Sequence, residues 1–472
     1  MNYTSVWYYL LVIICLCFYY AVKKNYRWYI LLAGSLSFLV FVSGSTVRIL
    51  LFLITDLAVW LSGKQLETKK EKAYLFTGIA FALIPLLMMR FADFSRLYLN
   101  RVFSFAFPVG ISFYTMQMIS YLCDIYSGKI TAQKNLLKFT LFMSWFPQLI
   151  QGPIPRYEQL GSQLYEGHDY DTDSFMKGIQ LILWGFFLKL MIADKTAVYV
   201  NTVFNSVSAY NGIPVWIGAV LYSIQLYTDF LACTTLAQGV SQLFGIHIVN
   251  NFDHPYFSES IKEFWRRWHI SLSSWLRDYI YFPLGGSRKG KMRTYINLLA
   301  VFLVSGIWHG TGLTFLCWGI YHAFCQITGS LTVAFREKLY IRAGIGERTG
   351  SVLRKIGTFL LVTLGWILFR ASSLKKAARM ILSMIAWNPW TLTDGTLTQM
   401  GLDFREWIVL ICSVAVLWIA GIVQQKTVIR DHFQKQNTAV RWIVYLLAIW
   451  CIYLMGTYGY GFDSADFIYG GF

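Results

Sequence analysis

Two histidines stand where a chain this apolar would ordinarily carry none. His309 lies in the run Ser305–Gly310, SGIWHG, and His269 in the basic, aromatic segment Glu263–Tyr279, EFWRRWHISLSSWLRDY. Imidazole is the side chain whose ordinary pKa suits it to take and return a proton near neutrality, and a polar group at membrane depth marks a functional site by default. The surroundings narrow the chemistry. Neither histidine is accompanied by a GxSxG elbow, a reactive Cys/His signature or an HExxH pairing. His322 follows His309 too far along the chain to form a local ligand pair, so no metal is expected. A histidine acting directly as base on an acceptor hydroxyl is the economical chemistry left; a satisfied core histidine is the competing account of His309.

The elements that must hold these groups are membrane helices. Of 472 residues, 56% are hydrophobic, 18% aromatic and only 14% charged, and mean hydropathy is +0.49. That is too little polar surface to cover a soluble globule. The expected fold is an all-α polytopic membrane protein forming a single membrane domain over 1–472, with the lipid bilayer as its solvent. Apolar runs long enough to cross hydrocarbon fall at 5–22, 27–43, 47–61, 73–89, 104–122, 177–193, 214–230, 294–308, 312–331, 354–370, 406–424 and 441–456. The net charge of +17 is carried by Lys and Arg in short loops between these runs, the pattern of positive-inside bias and not of a nucleic-acid face. Basic loops 62–72, 332–356 and 425–441 place both termini outside, and the first run is read as an uncleaved span. Segment 370–382 is expected to be an interfacial helix with Leu374, Ala377, Ala378, Ile381 and Leu382 on its apolar face. The eight cysteines have no CxxC or zinc-like spacing and read as small membrane-core residues.

Three segments sit close to the candidate chemistry. From Ser258 to Tyr281, Ser260 and Glu263 form a capping box. Ile261, Phe264, Trp265, Trp268, Leu272, Trp275, Leu276 and Tyr279 then recur at helical spacing, with Arg266, Arg267 and Arg277 opposite and His269 at the seam. An amphipathic interfacial helix accounts for the pattern alone, but not for the density of Trp and Arg around a titratable group. The loop GGSRKGKM, Gly285–Met292, nearly spells a phosphate-binding P-loop, yet Met292 replaces the magnesium-binding hydroxyl and no strand precedes it. From Lys262 to Arg293 there are eight Lys or Arg, Lys289 among them, against two acids. This charge is enough to attract a phosphorylated donor or an acidic carrier protein, and positive-inside bias is its competing account. The third segment, Met143–Arg156, MSWFPQLIQGPIPR, is interrupted by three prolines and a glycine. It reads as re-entrant, with Gln148 and Gln151 lining a cavity, or as an interfacial loop.

WRRWHISLSSWLRDYIYFPLGGSRKG, SGIWHG and FPQLIQGPI together resemble the membrane-bound O-acyltransferase superfamily. The specific motifs run from about Phe103 to Gly319, within a core at 103–330. The chain looks like the bacterial branch of alginate and peptidoglycan O-acetyltransferases, related to the teichoic acid D-alanyl transfer protein. The resemblance implies a ring of about 11–12 tilted helices with re-entrant segments around a thin central wall pierced by a tunnel. It also implies that His309 matches the superfamily's invariant histidine and His269 the branch's second. After the last span, in 441–472, the terminal FIYGGF of Phe467–Phe472 resembles that branch's FxYxxF motif, with Gly470 and Gly471 where bulkier residues are usual. In the D-alanylation system the motif sits on a separate peptide, so its fusion here favours acetylation.

The reaction so implied moves an acetyl group from a cytoplasmic thioester, acetyl-CoA or an acyl carrier protein, through a bacterial plasma membrane, with no bound cofactor. Trp265, Arg266, Arg267, Arg277 and Lys289 would face the donor, His309 would act as base, and Trp308 and the re-entrant stretch would exclude water. The phenol of Tyr469 would be a first acceptor. An extracytoplasmic hydrolase-like acetyltransferase partner would then pass the group to an envelope polysaccharide. D-alanyl transfer, a transporter and a non-catalytic scaffold are the rival readings.

Overall fold

The protein is described as a computed structural model covering residues 2–99 and 110–458, and every regular element among those residues is helical. The FIYGGF tail, Tyr469 included, lies outside the described residues, as does the start of the expected span at 104–122. Each of the other eleven expected spans coincides with a helix, and the 104–122 run continues into one at Ile111. Among the described residues, eight helices are long and apolar enough to cross a membrane.

The chain divides into two compact units. The first comprises Met1–Gly185 and Cys233–Asn250. Its helices are α1 (Val6–Ala21), α2 (Arg27–Ser43), α3 (Thr46–Lys69), α4 (Lys72–Tyr98), α5 (Ile111–Tyr126), the short α6 (Leu136–Ser144) and α7 (Tyr157–Glu166), and nearly all of α8 (Thr172–Phe186). Of the described residues, the second unit comprises 186–232 and 251–458. It begins with a π-helical turn, Phe187–Ala193, and α9 (Asp194–Asn205); α10 (Ile213–Leu243) then runs on past Ala232. After α11 (Ile261–Arg267) and α12 (Ile270–Leu276) come α13 (Lys291–His309), α14 (Leu313–Leu331), α15 (Val333–Arg342) and α16 (Glu347–Arg370). The unit closes with α17 (Leu374–Ser383), α18 (Phe404–Gln424), α19 (Ile429–Gln434) and α20 (Thr438–Met455).

Local chemistry sets these boundaries. Asp403 and Glu406 form a reciprocal capping box that starts α18. Ser5, Asn135 and Ser373 cap α1, α6 and α17 through their side-chain oxygens. Helix α18 buries only Leu410, Ser413 and Gly421, and α20 only Tyr445. Most of their remaining apolar side chains are exposed, the arrangement that hydrocarbon and not water accommodates.

Two expectations about the segment Ser258–Tyr281 are corrected. Ser258–Tyr281 is not one helix: it breaks at Trp268–His269 and ends in a second π-helical turn, Arg277–Tyr281. His269 is therefore not at an exposed seam but 1% exposed. The capping box there is only half formed, because Ser260 accepts from the Glu263 N–H whereas the Glu263 carboxylate takes the N–H of Glu259. In α17, Ala377 and Met380 form the packed face, while Leu374, Ile381 and Leu382 point outward. Protein covers one side of this helix and leaves its larger apolar residues for lipid.

Candidate active site

The hairpin of α13 and α14 carries the first histidine. Gly306 offers a bare Cα to the carbonyl of Phe315, where a Cβ would stand 2.6 Å from the oxygen, and Gly319 meets the carbonyl of Phe302 still more closely. Backbone against backbone, the two helices have no side-chain layer that could yield. His309, the last residue of α13, is thereby fixed at 3% exposure. Its ring stands edge-on to Trp308 (4.7 Å between centroids), Trp318 (5.3 Å) and Phe369 (5.1 Å).

The second histidine is held by a strained turn. His269 has φ 45° and ψ 55°, the left-handed region, where a non-glycine residue costs about 1–2 kcal/mol. Asn251 holds it there. The Asn251 carbonyl accepts the N–H of Ile270 at 2.9 Å. Its side-chain Oδ1 accepts the Ser271 N–H (3.1 Å) and the Ser271 hydroxyl (2.8 Å), and faces His269 Nδ1 at 3.2 Å. A backbone N–H can only donate, so this amide atom is oxygen. His269 Nδ1 must then carry the proton, which leaves the lone pair of the neutral ring on Nε2. The ring packs edge-on against Phe230 (4.7 Å) and lies 6.2 Å from the ring of Trp308. Trp308 therefore touches both imidazoles, and residues forty apart in sequence share one aromatic wall.

The rest of that wall is tryptophan. Trp265 contacts Trp318 (5.5 Å), Phe302 (5.6 Å) and Trp366 (6.2 Å), and Trp268 contacts Trp366 (4.9 Å). The indole N–H of Trp265 is directed to Nδ1 of His322 at 3.3 Å. Of the basic residues singled out in the sequence, Arg266, Arg277 and Lys289 are exposed. Arg277 is paired with Asp278 at 2.9 Å. Arg267 is committed to Glu263 within its own helix at 2.7 Å. Glu259, just before α11, takes Ser351 Oγ (2.5 Å) and Arg354 Nε (2.7 Å), which ties this stretch to α16. Partial burial pushes the Glu259 carboxyl up, but Ser351, Arg354 and Lys355 together hold it below its ordinary value.

In the first unit, Met143–Arg156 is the end of α6 followed by a buried turn. Trp145 Nε1 donates to Ser241 Oγ (3.2 Å), the Phe146 N–H to Ser35 Oγ (3.3 Å) and the Ile150 N–H to the Tyr3 hydroxyl (3.1 Å). Gln148 and Gln151 are 4% and 2% exposed. Neither amide atom of Gln148 has a hydrogen-bond partner among the described residues.

Three features of the second unit escaped the sequence reading. Asn251 lies in a polar turn, NNFDHPY, whose only signal was its place before a helix cap. His322 is weighed in the sequence only as a metal-ligand partner of His309, and its place as the i+4 neighbour of Trp318 on one helix face goes unused. The third is a buried ion cluster, in which Lys189 Nζ lies 2.9 Å from Asp194 Oδ1 and 2.8 Å from Asp229 Oδ1, with all three residues under 5% exposed. Lys189 sits on the π-helical turn, and the neighbouring Leu190 carbonyl accepts the N–H of Thr457 at 3.0 Å. That contact pins the chain where it leaves α20.

Residues 130–346 match the model of the membrane-bound O-acyltransferase family. A protein of Pseudomonas fluorescens named probable alginate O-acetylase is 36% identical over 356 residues, covering 75% of this chain and 68% of that protein. The like-named protein of Pseudomonas aeruginosa is 34% identical over 83% of this chain and 76% of its own length. The peptidoglycan O-acetyltransferase of Helicobacter pylori is 30% identical over 67% of this chain and 66% of its own. With both buried histidines inside the matched region, the chain belongs to the membrane-bound O-acyltransferase family and is a multi-pass membrane O-acyltransferase.

Proposed function

We propose that the chain takes an acetyl group from a cytoplasmic thioester, acetyl-CoA or an acylated carrier protein, and delivers it across a bacterial plasma membrane toward hydroxyls of an extracytoplasmic polysaccharide. A separate hydrolase-like partner completes the delivery. The observation that carries this reading is the pair of buried imidazoles, His269 and His309, sharing Trp308 in a wall that excludes water.

The chemistry follows from that wall. A phosphorylated donor cannot enter hydrocarbon, whereas an acetyl group is small and neutral, so moving only the acetyl avoids burying charge. His309 takes the proton from the acceptor hydroxyl as its oxygen attacks the thioester carbonyl. The C–S bond then breaks, and the departing sulfur receives the proton back from the imidazolium. A positioned base of this kind contributes roughly 10²–10⁴-fold. Aromatic packing around it limits the competing attack by water. Asn251 keeps His269 in one tautomer and one orientation beside the base. Outside the wall, Arg266, Arg277 and Lys289 are exposed cations suited to donor phosphates.

The test is to isolate the envelope polymers with and without the protein and measure ester-linked acetate, then to repeat with His309→Ala at equal membrane abundance. Acetate should be lost in both cases. Near wild-type acetylation with His309→Ala would overturn the assignment of the base, and ester-linked D-alanine in place of acetate would redirect it to the activity named for the Bacillus subtilis relative, teichoic acid D-alanyltransferase.

A further inference from the structure

A third histidine is buried in the same wall and has no part in the chemistry above. His322, on α14 one turn after Trp318, is 0% exposed. Its Nδ1 faces the indole N–H of Trp265 at 3.3 Å. An indole nitrogen can only donate, so Nδ1 is the acceptor and the proton of the neutral ring is on Nε2. That Nε2 has no hydrogen-bond partner among the described residues. It lies against the bare Cα of Gly365 on α16, where a Cβ would stand 2.5 Å away. A buried donor without a partner is destabilising. An apolar ring of similar shape would fill the space without that penalty, so what the imidazole adds beyond shape is the acceptor at Nδ1.

That acceptor has one client. Trp265 meets Trp318 edge-on at 5.5 Å and 81°, and Trp318 meets His309 edge-on at 5.3 Å and 86°. Trp318 also meets His322 itself, at 5.2 Å. The orientation of the Trp265 indole thus bears on the plane that packs against His309. We propose that His322 is a positioning residue: by accepting the Trp265 indole N–H it locks the tryptophan wall against His309 and keeps water from the reacting thioester. This rests on the reading of His309 as base. It adds a determinant of how much acyl group reaches the acceptor and how much is lost to hydrolysis.

The experiment uses full-length protein in membranes with radiolabelled acetyl-CoA, counting both acetyl delivered to polymer and acetate released to water. His322→Phe removes the acceptor and keeps a ring; transfer should fall about tenfold to a hundredfold, as expected of sub-ångström misplacement, while the ratio of hydrolysis to transfer rises. His322→Asn places an oxygen where Nδ1 was and should restore the wild-type ratio, whereas His322→Gln reaches the Nε2 position and should not. Gly365→Ala, which displaces the ring from the other side, should reproduce the His322→Phe ratio. In Trp265→Phe/His322→Phe the defect should be no larger than in either single variant, because the two act as one unit. A wild-type ratio in His322→Phe, or additive losses in the double variant, would overturn the proposal. Should His322→Phe fail to accumulate, Trp265→Phe alone decides: a raised ratio is expected, and an unchanged one refutes. The base reading is judged separately, since full transfer by His309→Ala would sink it even where the His322 series behaves as described.

Discussion

Replacing Asn251 by alanine tests whether the strained turn at His269 matters to turnover. Three hydrogen bonds converge on its Oδ1. At a net of about 1 kcal/mol each, their loss weakens the turn by about 3 kcal/mol. The left-handed conformation of His269 itself costs about 1–2 kcal/mol, so with those contacts gone the strain is uncompensated and the residue relaxes toward an ordinary backbone region. A preference of about 1–2 kcal/mol for the relaxed form leaves the productive orientation populated roughly one-fifth to one-thirtieth of the time, at about 1.4 kcal/mol per decade. Turnover should therefore fall about fivefold to thirtyfold. Asn251→Asp makes the complementary case. It keeps an acceptor in place and so preserves the turn, but it sets a carboxylate beside the imidazole and stabilises its charged form. If His269 must be neutral, the acid limb of the pH–rate profile moves to higher pH. Burial lowers the pKa of the His269 imidazole to about 3, so the assay is acetyl transfer by membranes containing equal amounts of each variant over a range that extends into acid, from about pH 4 to about pH 9. Wild-type turnover in Asn251→Ala, or an unmoved acid limb in Asn251→Asp, refutes this account of the turn.

Other perturbations probe the donor face, the buried ions and the tail. Charge reversal at Arg266 and Arg277, both exposed, should raise the donor KM severalfold at low salt. The difference should shrink as ionic strength approaches about 0.15 M, where the Debye length is about 8 Å; a salt-independent KM would return these residues to positive-inside bias. Lys189→Met leaves Asp194 and Asp229 without their shared cation and should cost about 3–5 kcal/mol of stability, measured by melting in detergent. Adding Asp229→Asn to it should recover part of the loss. Tyr469→Phe should leave the protein in the membrane but stop delivery to polymer, because a phenol of pKa near 10 is the proposed first acceptor. Intact-protein mass spectrometry, with the downstream partner removed, should find acetyl on the wild-type tail, and full polymer acetylation by Tyr469→Phe would exclude it as carrier.

Span positions were legible because a bilayer imposes a length and a composition that sequence displays directly. His309 stood out for the same reason, as a polar exception in an apolar run, and His269 as a titratable group in a segment dense in Trp and Arg. The break at His269 was not. Ile261, Phe264, Trp268, Leu272 and Trp275 keep helical spacing straight through it, and the residue that turns the backbone is Asn251, eighteen positions earlier, outside any local window. Arg267 read as a donor contact because a wheel shows which way a side chain faces but not that Glu263, one turn back, already holds it. His322 is weighed there only as a ligand partner of His309, because spacing along a chain says nothing about an indole arriving from another helix. The two π-helical turns left no sequence signal that we recognise.

The glycine contacts between α13 and α14 carry a consequence for how the enzyme moves. Two helices seated carbonyl to Cα at Gly306 and Gly319 behave as one solid body, so a cycle built on a swinging histidine would have to unseat both at once. On the proposed reading of His309 as base, it would be the stationary jaw, and the strokes of the cycle would fall to the arriving donor and to the acceptor hydroxyl. Engineering a larger acyl group into such a machine would be achieved by carving the space in front of the jaw, at residues such as Trp308 and Phe369, and not by loosening its mount.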